Sequence, residues 1–336
     1  MKYSFVVPVY NRPDEVEELL ESLGMQTFKD FEVVLVDDGS TIPCRSVCEK
    51  FADLFPVRYF EKPNSGPGPT RNYGVARACG EFVLILDSDV VLPPTYLAEV
   101  EAELQQAPCD AFGGADCAHP DFTPTQKAIN YAMTSFFTTG GIRGRSGRKL
   151  DKFYPRSFNL GVKREVYETL GGFAAMRFGE DIDFSLRIFE AGYSCRLFPG
   201  AWVWHKRRTD LRKFFKQVHN SGIARIHLMK RHPGSLKFVH LLPAAFTLGC
   251  FFLLVAWLCF ISHPWSALFL LPLVLFAVVI FTDAALKERN PGVALRAVAA
   301  SFVQLCAYGT GFLRSWWNSC VLRRGEMEAF KKTFYQ

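Results

Sequence analysis

The 336-residue chain contains no internal repeat and no low-complexity tract, which excludes a solenoid or a disordered linker protein. No second Cys/His pair follows Cys44 and Cys48 at zinc-ligand spacing, so a structural zinc is not expected. The ten cysteines are scattered, and Cys250, Cys259 and Cys306 fall inside apolar runs. They read as reduced, mostly buried thiols, which places the soluble part on the cytoplasmic side. The N-terminal apolar run Phe5–Val9 is too short for a secretory signal and reads as a buried strand. After it, Val9-Tyr10-Asn11-Arg12 lacks the glycine-rich, lysine-bearing loop with which a nucleotidyltransferase would cradle phosphates. A large charge of one sign is lacking as well, the formal net charge being +6. Basic residues concentrate between Arg143 and Lys237, just before a strongly apolar C-terminal region. A basic collar beside apolar segments suits an anionic membrane surface, and no nucleic-acid partner is expected.

What is present begins with alternating strands and helices. Phe5–Val9, Phe31–Val36, Val57–Phe60 and Phe82–Leu86 are short β-rich runs. Between them, Val16, Leu19, Leu20 and Leu23 carry helical spacing, and Val47–Leu54 and Arg71–Cys79 suit helices, with Pro63–Pro69 as a loop. This alternation predicts an α/β fold with a mostly parallel sheet covered on both faces. Ligands of such sheets bind at the carboxyl ends of the strands. Tyr10, Asp38, Asp87 and Asp89 all fall there. A glycine- and arginine-rich segment, Gly140–Arg148, is expected to be mobile and to order over the site or at lipid headgroups.

From Leu241 the composition changes. Residues 241–262 and 265–282 carry no Asp, Glu, Lys or Arg, and His263-Pro264 separates them. Each is near the length that crosses a bilayer core of roughly 30 Å. A third, weaker run at 293–313 contains Arg296 and Gln304. Lys230, Arg231 and Lys237 precede the first run and Lys287 and Arg289 follow the second, which orients the hairpin with the soluble domain in the cytoplasm. If the third run also spans, Arg314, Arg323, Arg324, Lys331 and Lys332 lie outside, against that rule; a re-entrant or interfacial helix is the other reading.

Asp87-Ser88-Asp89 sets two carboxylates at i and i+2 just after a buried strand, where they can aim at one hard cation such as Mg²⁺ or Mn²⁺. Asp37-Asp38-Gly39-Ser40 ends another strand, either as an acceptor for a base or ribose or as a turn with a helix cap. Glu180-Asp181-Ile182-Asp183 opens an amphipathic helix. Its acids serve the helix dipole, or one serves as general base at the mouth of the site; Asp183 is assigned to the helix. His205, in Trp202-Val203-Trp204-His205, precedes three cations and is either structural or a ligand.

Five segments stand in the order of a family 2 glycosyltransferase: Phe5–Asn11, Val36–Thr41, Gly68–Asn72, Gly80–Asp89 and Gly179–Arg187. The resemblance covers roughly residues 3 to 230. It implies a GT-A fold over 1–230, with a membrane region at 231–336, and inversion at the anomeric carbon. It implies that Pro8, Tyr10 and Asp38 contact the nucleotide base and that Arg71 lies near the phosphates. Asp87 and Ser88 belong with the nucleotide-sugar, Asp87 and Asp89 bind ribose and metal, and His205 lies near the diphosphate or metal. Asp181 is the implied catalytic base, with Glu180 in support. The donor implied is a UDP-sugar, the metal Mg²⁺ or Mn²⁺, and the acceptor a lipid-linked or membrane-proximal glycan at the cytoplasmic membrane. The chain has no Q-x-x-R-W sequence after the acidic motif, which disfavours a processive synthase. A polyprenyl-phosphate glycosyltransferase is the alternative; a nucleotidyltransferase or a non-catalytic membrane protein fits the ordered acids less well.

Overall fold

The computed structural model describes residues 1–119, 121–140, 153–176 and 178–325. Of the segment Gly140–Arg148, all but Gly140 lies outside the described residues. The chain divides into two compact units, one built on Met1–His119 with Gly147–Lys206, the other on Pro120–Ser146 with Arg207–Met327.

In the first unit the chain runs β1 (Tyr3–Val9), α1 (Pro13–Gly24), β2 (Phe31–Asp37), α2 (Arg45–Phe51), β3 (Val57–Glu61), α3 (Pro67–Val75), β4 (Phe82–Leu86), β5 (Val90–Val91), α4 (Tyr96–Gln106), β6 (Ala111–Gly113) and β7 (Asp116–Cys117). The second unit contributes α5 (Pro124–Thr134) and α6 (Phe136–Thr139). The first unit resumes with β8 (Asn159–Lys163), α7 (Arg164–Thr169), α8 (Glu180–Glu190), β9 (Cys195–Leu197) and β10 (Val203–His205). Seven strands form one sheet in the order β3-β2-β1-β4-β8-β6-β9. All run parallel except β8, which is antiparallel to β4 and β6.

Period-two alternation builds the two faces. Tyr3, Phe5, Val7 and Val9 of β1 pack with Val16, Leu19, Leu20 and Leu23 of α1 and with Tyr96 and Leu97 of α4. The intervening Val6, with Val34, Val36, Val83 and Ile85, packs on the other face against Val75, Tyr167, Phe184 and Ile188. Both faces are covered, so the central strands are apolar throughout. Strand order reverses at β1: β2 lies on one side of it and β4 on the other. That reversal opens a crevice at the carboxyl ends of β1 and β4.

Two helix boundaries differ from the sequence reading. The second helix is Arg45–Phe51, ending before Leu54. The third begins at Pro67 and ends at Val75, so part of the expected 63–69 loop is helix. Gly66, at φ 89°, caps it, and proline is tolerated at the first helical position, where its missing N–H has no intrahelical partner.

The second unit adds α9 (Leu211–Arg231), α10 (Leu242–Cys259), α11 (Leu271–Glu288) and α12 (Pro291–Trp316). By packing, this unit takes in α5 and α9 as well as the apolar helices, whereas the expected boundary at 230 is where the family resemblance ends. Three helical stretches, Phe238–Cys259, Ser266–Glu288 and Pro291–Val321, are long and apolar enough to cross a membrane. Phe251, Phe252, Leu258, Leu268 and Val274 are exposed on the first two, a surface that water does not favour. The third is the least apolar because Ala297, Ala300 and Ala307 pack beside Ala128, Ile129 and Phe214 of α5 and α9, so part of its surface is turned to protein.

Candidate active site

The acidic segment after β4 is fixed by the small sheet β5-β10-β7. His205 pairs with Val90 across an antiparallel ladder, and Lys206 N–H donates to the Asp89 carbonyl over 3.0 Å. The His205 ring therefore lies against Asp89, with Nε2 3.3 Å from Oδ1. Its Nδ1 is 3.9 Å from the Asp116 carboxylate, and Phe158 packs on the ring at a centroid distance of 4.7 Å. One ligand atom each from Asp87, Asp89 and His205 lies within 4.8 Å of the others, a spread that a single ion can span with small side-chain shifts. Two carboxylates and an imidazole fit a hard-to-borderline divalent cation, Mn²⁺ better than Mg²⁺ because of the nitrogen donor.

Arginines hold these carboxylates. Arg71, on α3, is buried; its Nη2 donates to Asp87 over 2.6 Å and its Nη1 to Glu180 over 3.0 Å. The side chain also stacks over Phe173 at 5.3 Å. It thus ties the end of β4 to the first turn of α8. Arg12 lies 3.7 Å from Asp89 and 2.6 Å from Glu15. Ser88 is turned toward Glu15, its hydroxyl donating over 3.5 Å.

Gly179, at φ 82°, caps α8 and leaves Glu180 and Asp181 on the first turn. The two adjacent acids are buried in opposite electrostatic settings. For Glu180, burial and then the Asp181 charge push the carboxyl up to about 7, against the opposing pull of Arg71. Burial would raise Asp181 as well, but Arg156, whose Nε donates to Oδ2 over 2.6 Å, outweighs it and holds Asp181 below the usual carboxylate range. Asp183 pairs with Arg187 one turn on and belongs to the helix, as its spacing implies.

At the end of β2, Asp38 is buried, and its carboxylate is already engaged. It accepts from Lys62 Nζ, from Ser65 N–H over 2.9 Å and from Gly66 N–H over 2.8 Å. Asp38 thereby shapes the loop that leads into α3. A carboxylate has about four lone-pair sites, so capacity for another donor remains. Pro8 and Tyr10, both half-buried, stand at the neighbouring end of β1.

The structure therefore gathers Asp87, Asp89 and His205 at one point, and Arg71 connects that point to Glu180; Asp181 adjoins Glu180. Asp38 sits two strands away on the same rim. Sequence reading did not single out Arg12, Asp116 or Arg156. Asp116 sits in a two-residue strand and Arg156 just before β8, neither in a local motif, and only the tertiary fold brings them to the site.

A mostly parallel sheet with acids at its switch point is an α/β architecture of the GT-A kind. The sequence model of glycosyl transferase family 2 matches residues 4–171, half of the chain, and the chain belongs to that family. It is 34% identical over 140 residues to an uncharacterized glycosyltransferase of Rickettsia felis, covering 41% of this chain and 22% of that protein. It is 39% identical over 110 residues to the poly(ribitol-phosphate) beta-N-acetylglucosaminyltransferase TarS of Staphylococcus aureus, covering 32% of this chain and 19% of TarS. The matched stretch is thus about a fifth of each relative's length. Among solved structures, the mannosyltransferase PcManGT of Pyrobaculum calidifontis, in complex with GDP-Man and Mn²⁺, superposes with a TM-score of 0.60 at 18% identity, covering 94% of this chain and 87% of that one. That likeness confirms the fold.

Proposed function

We propose that the chain is a membrane-anchored, inverting, single-addition glycosyltransferase that moves a sugar from a nucleotide-diphospho-sugar to a lipid-linked or membrane-proximal glycan. The observation that carries this reading is the convergence of Asp87, Asp89 and His205 on one point, joined to Glu180 by Arg71. Family membership supports sugar transfer, and a neighbour of this fold, PcManGT, is complexed with GDP-Man and Mn²⁺.

Asp89, Asp87 and His205 would hold a Mn²⁺ or Mg²⁺ ion, which when bound neutralises the departing diphosphate. The protein residues supply the rest. Pro8, Tyr10 and Asp38 form the wall for the base, with Asp38 sharing its carboxylate between the loop and a ring N–H. Ser88 and Asp87 face the ribose side. Arg71 fixes Asp87 and brings a cation near the phosphates. Asp181 takes the proton from the acceptor hydroxyl as the sugar inverts, and Arg156 keeps it ionised beforehand. Glu180 holds Arg71 in place. The apolar helices anchor the chain in the cytoplasmic membrane, with the sheet domain on the basic, cytoplasmic side.

A thermal-shift and hydrolysis screen of UDP-, GDP- and dTDP-sugars, each with and without Mn²⁺, tests the proposal. Stabilisation by one nucleotide-sugar that depends on Mn²⁺ is expected. Absence of any metal-dependent stabilisation across the set would overturn it.

A further inference from the structure

By composition the third apolar run, Pro291–Val321, suits either a membrane span or a helix on the membrane surface, and its packing separates the two. Of the most apolar window in this run, 44% is buried within the protein, against 6% and 11% in the first two runs. The apolar residues of α12 therefore meet protein, where those of α10 and α11 are left for lipid.

What covers α12 is polar. α9 runs beside it in the same direction. His219 Nδ1 lies 3.2 Å from the Thr310 hydroxyl, the Ser315 hydroxyl donates to the Ile223 carbonyl over 3.2 Å, and Lys230 Nζ donates to the Ser319 carbonyl over 2.8 Å. Glycines bring the two backbones into contact: a Cβ at Gly222 would stand 2.2 Å from the Tyr308 carbonyl oxygen, and one at Gly311 would stand 2.1 Å from that of His219. Arg212, Lys213, Lys216, Lys230 and Arg231 of α9 are exposed. Along the first half of α12, Ala294, Ala297 and Ala300 pack with Ala128 and Ile129 of α5. Next to them, Asn130 accepts from the Arg207 guanidinium over 3.1 Å and Tyr131 donates to Asp283 over 2.6 Å. If α12 spanned the bilayer, these flanking helices would carry their charged and amide groups into hydrocarbon. Charged side chains avoid that setting unless they face a bundle interior or a water-filled cavity, and those of α9 face outward.

The apolar hairpin meets α12 at one end only. Phe246 and Thr247, in the first two turns of α10, touch α12: the Phe246 and Phe302 rings are 5.8 Å apart, and the Thr247 hydroxyl lies 3.4 Å from the Leu305 carbonyl. Phe276 of α11 joins the same contact at 5.0 Å from Phe246 and 5.3 Å from Phe302, and Ile280 and Ala284 continue it beside Ala294 and Ala297. Past these contacts, toward His263-Pro264, Phe251, Phe252, Leu258, Leu268, Leu271 and Val274 are exposed. α12 thus passes beneath the hairpin, where both of its arms enter.

We propose that α12 is a surface helix and not a third span: with α9 it lies flat on the headgroups of the leaflet that α10 and α11 enter, and the residues after it stay on that side. Arg314, Arg323 and Arg324 then join Lys230 and Arg231 on one side of the membrane, which removes the conflict with the positive-inside distribution. Trp316 and Trp317, exposed at the end of α12, are amphipathic rings that settle at such a boundary. The inference rests on reading α10 and α11 as a membrane hairpin and not on the identity of the transferred sugar.

Two native thiols report the topology: Cys79 in the sheet domain and Cys320 just after α12, both exposed. Intact and permeabilised cells expressing the full chain are treated with an impermeant maleimide, and the labelled cysteines are mapped by mass spectrometry. Cys320 should label together with Cys79 and only after permeabilisation, whereas Ser262→Cys should label in intact cells. Thr310→Cys, exposed near the middle of the third run, should also label after permeabilisation; in a span it would lie in hydrocarbon and stay unreactive. Labelling of Cys320 in intact cells while Cys79 is protected would overturn the proposal. So would a Thr310→Cys that never reacts in a chain whose Cys320 does. Labelling of Cys79 and Cys320 together in intact cells, with Ser262→Cys protected, would support the surface helix and reverse only the cytoplasmic orientation. Labelling of all of them on one side would overturn the membrane hairpin, and this proposal with it.

Discussion

Replacing Glu180 with Gln makes an unusual pH dependence disappear. In the folded chain this carboxyl rises from its ordinary value of 4.5 to about 7, chiefly through burial and then through the neighbouring Asp181 charge. Between those limits the folded state keeps the proton and the unfolded chain has lost it. The contribution is therefore fully present below about pH 4.5 and is lost as pH rises through about 7. That difference is worth about 3 kcal/mol. Asp181 has the opposite sign, but because its pKa is depressed, its contribution is lost only as pH falls through the acid range, outside this window. Thermal melts of the detergent-solubilised chain between about pH 5 and about pH 8 should show the wild type losing roughly 6 to 12 °C relative to Glu180→Gln. The glutamine carbonyl can still accept from Arg71, so the comparison isolates the charge. Parallel curves for the two proteins would refute the argument and mean that Glu180 stays ionised, compensated by Arg71.

Asp181→Asn should bind nucleotide-sugar with near-normal affinity and transfer at least about a hundredfold more slowly. Because Arg156 holds Asp181 low, the acid limb of wild-type kcat/KM should fall below the usual carboxylate range; a limb near 7, with Glu180→Gln inactive, would assign the base to Glu180 instead. Asp116→Asn, which removes the charge 3.9 Å from His205 Nδ1, should weaken Mn²⁺ binding by about tenfold and leave metal-free UDP binding alone. A cysteine introduced at Ser262 should react with an impermeant maleimide from outside the cell, whereas exposed Cys79 should react only after permeabilisation; labelling of Cys79 from outside would reverse the proposed orientation.

The sheet, its order of elements and the acidic strand ends were legible because short continuous apolar runs, buried on both faces, alternate with helical spacing. Asp87, Asp89, Glu180 and Asp181 were legible for the same reason: each directly follows an element boundary. The partners that set their charge were not. Arg71 was noted as a cation near phosphates, yet its ion pair with Glu180 joins residues 109 positions apart. Arg156 and Asp116 reach the site through β8 and the small three-stranded sheet, whose strands β5 and β7 have two residues each and leave no periodic signal. The start of α3 was missed because Pro67 and Pro69 read as loop residues, although proline is acceptable in a helix's first turn. The third apolar run was hard to read because α12 turns part of its surface to α5 and α9, so polar Ser301 and Gln304 interrupt its composition.

The central claim is that Asp89, with Asp87 and His205, holds the metal that supports donor binding. Calorimetric titration of UDP into the wild type and Asp89→Ala, each with and without Mn²⁺, tests it most directly. The account predicts that Mn²⁺ strengthens UDP binding in the wild type, that this gain vanishes in Asp89→Ala, and that the variant keeps the wild-type circular dichroism spectrum. A Mn²⁺-dependent gain of the same size in the folded variant would contradict the assignment.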